Sequence, residues 1–223
     1  MTGRPAPVPY ELAAAEIVAR MSALGGVPGG GADAPPAGPG DQPAATRPVV
    51  LIDGGSGAGK TSLAAEVARL WSRRTTTGAG AGAHAVAGTE GLQVVSLDSV
   101  YPGWHGLAAA SAQVPRIVGT ADPGYHGWDW DGDHPTAWVP LDPTRPIVVE
   151  GCGAITPGSV PLATFTMWIE LDAETRKARA LARDHGGFDP YWDLWAAQEQ
   201  AHWAANRPWE LADLLVDGPA TVT

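Results

Sequence analysis

One stretch constrains this chain more than any other: "VVLIDGGSGAGKTSLAAEVARLW", residues 49–71. An apolar run of strand length ends in a glycine-rich loop, and an amphipathic pattern with Leu63, Val67 and Leu70 along one side follows directly. The loop, Gly54 to Thr61, fits G-x-x-x-x-G-K-[ST]. Glycines let consecutive backbone N–H groups turn inward on an anion, where side chains would block the way. A helix starting there adds the positive end of its dipole. Lys60 is one of only two lysines in the chain. It supplies a compact charge, and Thr61 supplies a hydroxyl to a metal ion. With 29 glycines present, a chance match must be weighed. The strand before and the helix after argue against one. Gly54, Gly55, Ser56, Gly57, Ala58, Gly59, Lys60, Thr61 and Ser62 are therefore the candidate nucleotide-binding residues.

The surrounding pattern alternates strand and helix. Strands are expected at 48–53, 92–98, 146–151, 164–171 and 212–218. Helices are expected at 59–74, 172–184 (capped by Asp172) and 190–206, and at 104–118 up to Pro115. Alternation of this kind implies a parallel sheet covered on both faces, here a three-layer α/β fold of about five strands. Residues 1–24 read as an N-terminal arm whose helix, 10–24, either docks on the core or stays mobile. Residues 25–46 are a Gly/Pro linker. Residues 47–223 form the main domain, with a flexible insertion at 75–91, a long connection at 119–145 and a lid at 172–190.

Composition excludes several roles. A net charge of −10 and the absence of a basic face argue against nucleic acid as a partner. The single cysteine, Cys152, allows no internal disulfide. No run of 18 apolar residues suggests a membrane span. The expectation is a cytoplasmic protein, with oligomerisation left open.

A phosphate loop alone does not separate kinases, ATPases and GTPases. No N-K-x-D base-reading motif is present. Instead "SLDSVYPGW" ends the second strand, on the ligand side of an open sheet. Asp98 there can take a proton from a substrate hydroxyl, hold a metal-bound water, or cap a turn. Glu150 ends another strand at the same edge as Thr61, where a carboxylate can hold Mg²⁺. Arg176, Arg179 and Arg183 share one helical face.

In order, "GGSGAGKTSLA", "LDSVY", "DHPTAW", "VVEG" and "TRKARALARD" resemble the uridine kinase-like P-loop kinases over about residues 47 to 218. The resemblance implies a nucleoside/nucleotide kinase-like P-loop NTPase fold, ATP and Mg²⁺ as cofactors, and a nucleoside-like small-molecule acceptor. It implies Asp98 as catalytic base, with Lys60, Arg179 and Arg183 also catalytic, the arginines from the lid. Thr61 and Glu150 become metal ligands. Asp133 matches an acidic residue that contacts the sugar of the nucleoside, and Asp98, Tyr101, His134 and Trp130 are candidate substrate-binding residues beside it. Trp128, Trp130 and Trp138 either offer a platform for a base or fill a loop-rich region. His134 either orients Asp133 or lies in the turn before Pro135.

Departures from the family pattern are the N-terminal arm, the 75–91 loop, the tryptophan-rich "GYHGWDWDGDHPTAW", and "HGGFDPYWDLWAAQEQ" in place of a Gly-Arg-Asp segment. A different acceptor, such as a nucleotide, sugar or vitamin precursor, remains open. So does a non-kinase ATP-binding regulator or ATPase.

Overall fold

The computed structural model describes residues 6–25, 47–78, 91–184 and 186–219. Most of the Gly/Pro linker and of the 75–91 insertion lies outside those residues. In chain order the elements are β1 (Val8–Pro9), α1 (Tyr10–Gly25), β2 (Val49–Gly54), α2 (Lys60–Gly78), β3 (Gln93–Ser96), α3 (Leu107–Val118), β4 (Gly124–Asp129), β5 (His134–Pro140), β6 (Ile147–Glu150), β7 (Phe165–Glu170), α4 (Ala173–Arg183), α5 (Trp192–Asn206), α6 (Pro208–Leu211) and β8 (Leu214–Asp217).

Six strands form one parallel sheet in the order β1-β8-β7-β2-β6-β3. Side chains alternate across it. Val49, Leu51, Ile147 and Val149 face a core shared with α3, α4 and α5. Val50, Ile52, Val148, Phe165 and Met167 face a second core shared with α1 and α2. Two apolar faces on each central strand require two covering layers, which gives the three-layer α/β architecture.

The order also fixes the site. β2 and β6 are neighbours, so the loop after β2 and the carboxylate ending β6 meet at one sheet edge. Arg47, just before β2, is buried and ties α3 down. Its Nη2 donates to the carbonyls of Val118 (3.1 Å) and Gly119 (3.0 Å), and its Nη1 to that of Asp142 (2.6 Å).

Several expectations change. The N-terminal arm adds a sixth strand, β1, beside β8, and α1 buries Ala13, Ala14, Ile17, Val18 and Met21 against the core. Of the two alternatives for the arm, docking is what the structure shows. Helix α2 runs to Gly78, four residues past Arg74 into the segment read as a loop. Pro115 does not end α3, which continues to Val118. The region read as a long connection is an antiparallel hairpin of β4 and β5, with an irregularity between His126 and Trp128. The Asp131-Gly132 dipeptide between alternating residues was its signal. The strand expected at 92–98 ends at Ser96, and Asp98 sits in a 3₁₀ turn, Leu97–Ser99.

Candidate active site

The phosphate loop lies between β2 and α2, and its glycines are needed where they stand. Gly57 has φ of +82°, and a Cβ there would lie 2.1 Å from the Arg176 carbonyl oxygen. A Cβ on Gly55 would lie 2.1 Å from Nη1 of Arg176. Helix α4 thus rests directly on the loop.

Asp53, at the end of β2, is fully buried and braces the loop from below. It accepts backbone N–H bonds from Gly54 (2.6 Å), Ile155 (2.9 Å) and Gly153 (3.2 Å). Burial raises its pKa to about 6, against the opposing pull of those bonds and of Lys60. Lys60 is buried too, its Nζ donating to the carbonyls of Gly54 (2.9 Å) and Gly55 (3.0 Å). Burial alone would lower the Lys60 pKa. Cys152, Glu150, Glu199 and Asp98 around it more than offset that, so the ammonium is held above its ordinary range.

Thr61 Oγ1 donates to Glu150 Oε1 at 3.1 Å. Burial raises the Glu150 pKa, opposed by Lys60 and by hydrogen bonds from Ser96 and Thr61. This is a hydroxyl–carboxylate pair of hard oxygen donors beside a phosphate loop, a donor set that suits Mg²⁺. Among the described residues no three His, Cys, Asp or Glu side chains cluster as a metal cage. A magnesium ion commonly completes its shell with phosphate oxygens and water rather than with further side chains.

A cleft of about 920 Å³ opens over these groups. Its lining includes Ser56, Gly57, Gly59, Lys60, Thr61, Ser62, Glu150, Asp98, Tyr101, Trp130, Arg179 and Arg183. Residues scattered over the sequence therefore share one space. Asp98 is exposed at its rim, and its backbone carbonyl accepts from Trp130 Nε1 at 2.9 Å. Tyr101 is buried and stands as a pillar: its hydroxyl donates to the Cys152 carbonyl at 2.9 Å, and its ring meets Trp195 edge-on at 4.7 Å. Arg183 pairs with Asp184 through two bonds of 2.8 and 3.1 Å. The bond to Asp184 raises the Arg183 pKa, with Asp98 and Glu150 adding smaller contributions, so this arginine faces the acidic end. Arg179 lies at the opposite end, donating to the Pro219 carbonyl at 2.5 Å.

Two of the substrate-binding candidates stand apart from the cleft lining. His134 is exposed on β5, 3.7 Å from Asp129. Asp133 occupies the hairpin turn with φ of +53°.

Other contributors escaped sequence reasoning. Trp104 stacks on Tyr191 at 4.2 Å and on Phe188 at 5.3 Å, with Trp130 tilted beside it at 5.0 Å. Together they wall the Asp98 side. "PGW" right after "DSVY" was the available signal for Trp104. Arg176 is not a lid group. Its Nη1 bonds Glu199 Oε2 and the Ser56 carbonyl, both at 3.2 Å, while Glu199 Oε1 accepts from Ser56 N at 2.7 Å. The ion pair thus clasps both backbone groups of one loop residue. Nothing local in sequence marks Glu199 for this.

No protein-family model and no curated protein matches the sequence. Solved structures do match in shape. A possible uridine kinase from Bacillus stearothermophilus superposes with a TM-score of 0.50 at 16% identity, covering 91% of this chain and 98% of that one. A candidate fructose transport system kinase from Silicibacter sp. TM1040 gives 0.52 at 17%, covering 92% and 98%. The chain thus has the fold of P-loop kinases, a three-layer α/β sheet with a phosphate loop after its central strand. Among the described residues no helix is long and apolar enough to cross a membrane.

Proposed function

We propose that this chain is an ATP- and Mg²⁺-dependent phosphotransferase acting on a hydroxyl of a small, nucleoside-like acceptor, with uridine or cytidine first in line. One observation carries the reading. A single cleft joins the phosphate-binding group Lys60–Thr61–Glu150 to an accessible carboxylate, Asp98, under an aromatic wall.

The loop amides and Lys60 bind the donor phosphates. Thr61 and Glu150 would hold Mg²⁺, which when bound neutralises charge on the β- and γ-phosphates. Asp98 aligns the acceptor hydroxyl and takes its proton as that oxygen bonds to the γ-phosphorus. The bond from that phosphorus to the bridging oxygen breaks, and ADP leaves. Arg183, at the acidic end, stabilises charge on the transferring group, while Arg179, beside Pro219, stands on the donor side. Trp104 and Trp130 offer flat faces suited to a base-bearing acceptor. α4 and the aromatic wall flank the cleft, and their cover over the transferring group limits idle hydrolysis.

The test is ADP release with a panel of nucleosides, sugars and nucleotides. Acceptor-dependent turnover should fall by roughly 10²-fold or more in Asp98→Asn, with affinity for a non-hydrolysable ATP analogue retained. Phosphate release at the same rate without any acceptor would refute the kinase reading and favour an ATPase or regulator.

A further inference from the structure

The arm before the linker is tied to the nucleotide cleft by more than its strand. β1 pairs with β8 through Val8–Val216 and Pro9–Asp217, and the next residue is Tyr10. The Tyr10 hydroxyl donates to the Gly59 carbonyl at 2.6 Å, in the heart of the phosphate loop. The tip of its ring presses on Gly59: a Cβ there would be 3.0 Å from the hydroxyl and 3.3 Å from two ring carbons. The ring is only half-buried, and its free surface lines the cleft together with Ser62, Arg179 and Pro219.

The sheet order says what occupies that end. Reading from one edge, the order is β1-β8-β7-β2-β6-β3. Glu150 ends β6 and Asp98 follows β3, so the transferring phosphate and the acceptor lie on the β6–β3 side of the loop. A triphosphate gripped at Lys60 with its γ-phosphate on that side must run its sugar and base the other way. That way lie the ends of β8 and β1, followed by Pro219 and Tyr10. A half-exposed phenol ring beside a guanidinium suits a flat heterocycle or a ribose.

We infer that the N-terminal segment is a working part of the nucleotide site, with the Tyr10 ring forming the wall against which the sugar and base of the donor nucleotide pack. The inference rests on the phosphate-loop reading above. It gives a purpose to a segment that the resemblance leaves unexplained, because docking of the arm completes the donor subsite rather than merely covering a sheet edge.

Two ligands separate this role from support of the loop alone. Binding of a non-hydrolysable ATP analogue and of inorganic tripolyphosphate, both with Mg²⁺, is measured by calorimetry on the full chain. Tyr10→Ala should weaken the ATP analogue by about 10-fold and leave tripolyphosphate within about 2-fold, since only the former reaches the wall. Tyr10→Phe keeps the ring and should leave both within about 3-fold. Equal weakening of both ligands in Tyr10→Ala would overturn the inference by making Tyr10 a brace for Gly59 only. No weakening of either would overturn it as well. A measurement on the unsubstituted protein guards against a variant that fails to fold. With ring-labelled tyrosine, the NMR signal absent from Tyr10→Phe should shift on adding the ATP analogue and stay put on adding tripolyphosphate. A signal that moves identically with both refutes the wall. Failure of the phosphate-loop reading looks different: the unsubstituted protein would bind neither ligand, or Lys60→Ala would bind both normally.

Discussion

Removing the carboxylate of Glu199 tests how the phosphate loop is held. Glu199 is 1% exposed and its partner Arg176 7%, so the pair is out of water. Four groups depend on it. Arg176 Nη1 loses its counter-charge, and Ser56 N, Cys152 Sγ and Trp195 Nε1 lose an acceptor, at 2.7, 3.2 and 3.2 Å respectively. Breaking a buried pair by deleting one partner costs about 3–5 kcal/mol, because the remaining charge is left without compensation. The Arg176 guanidinium keeps bonds to the Ser56 and Leu171 carbonyls and its place 5.2 Å over the Trp203 ring, which puts the expected loss near the lower end. For a chain of this size, each kcal/mol moves the melting temperature by about 2–4 °C, so Glu199→Ala should melt about 10 °C lower. Glu199→Gln keeps an acceptor oxygen and should lose about half as much. Scanning calorimetry or urea titration checks both. A loss of less than about 3 °C in Glu199→Ala would refute the reasoning, since it would mean water or a rearranged Arg176 solvates the gap.

Asp53 gives a pH signature. Its folded pKa, about 6, lies above the ordinary carboxylate value, so the folded state binds the proton more tightly than the unfolded chain. Stability from this group is therefore fullest at low pH and declines by about 2–3 kcal/mol as pH rises from 4 to 7. Urea titrations of the unsubstituted protein and Asp53→Asn across that range should show the difference between them shrinking, and a growing difference would contradict it. Gly57→Ala should weaken affinity for an ATP analogue by about 10-fold or more, because neither φ of +82° nor the Arg176 carbonyl at 2.1 Å admits a methyl group. Calorimetric titration decides it. Arg47→Ala strips the end of α3 of its guanidinium contacts and should cost about 2–3 kcal/mol, read from the urea midpoint. Trp104→Ala should raise the acceptor KM while leaving ATP affinity in place, since its stacked partners Tyr191 and Phe188 lie on the Asp98 side; unchanged acceptor kinetics would count against the aromatic wall.

What the sequence determined by itself is local. The order of atoms in "VVLIDGGSGAGKTSLA" specifies a strand, a loop that only glycine can adopt and a helix start, because φ, ψ and hydrophobic period are properties of neighbouring residues. The same holds for Glu150 at a strand end and for Asp172, whose carboxylate accepts from Thr175 N at 2.8 Å as an N-cap. Tertiary structure decided the rest. Arg176, Arg179 and Arg183 are equivalent by spacing, yet one clasps Ser56, one reaches Pro219 and one faces the acidic end. Their helix lies across the loop, and each turn along it meets different neighbours. Glu199 is 143 positions from the amide it holds, and Tyr10 is 49 from the carbonyl it binds. A two-residue strand such as Val8–Pro9 carries no period of its own and exists only because β8 offers it a paired edge. Burial and long-range pairing are set by what the chain folds against, and that information is spread over every element of the sheet.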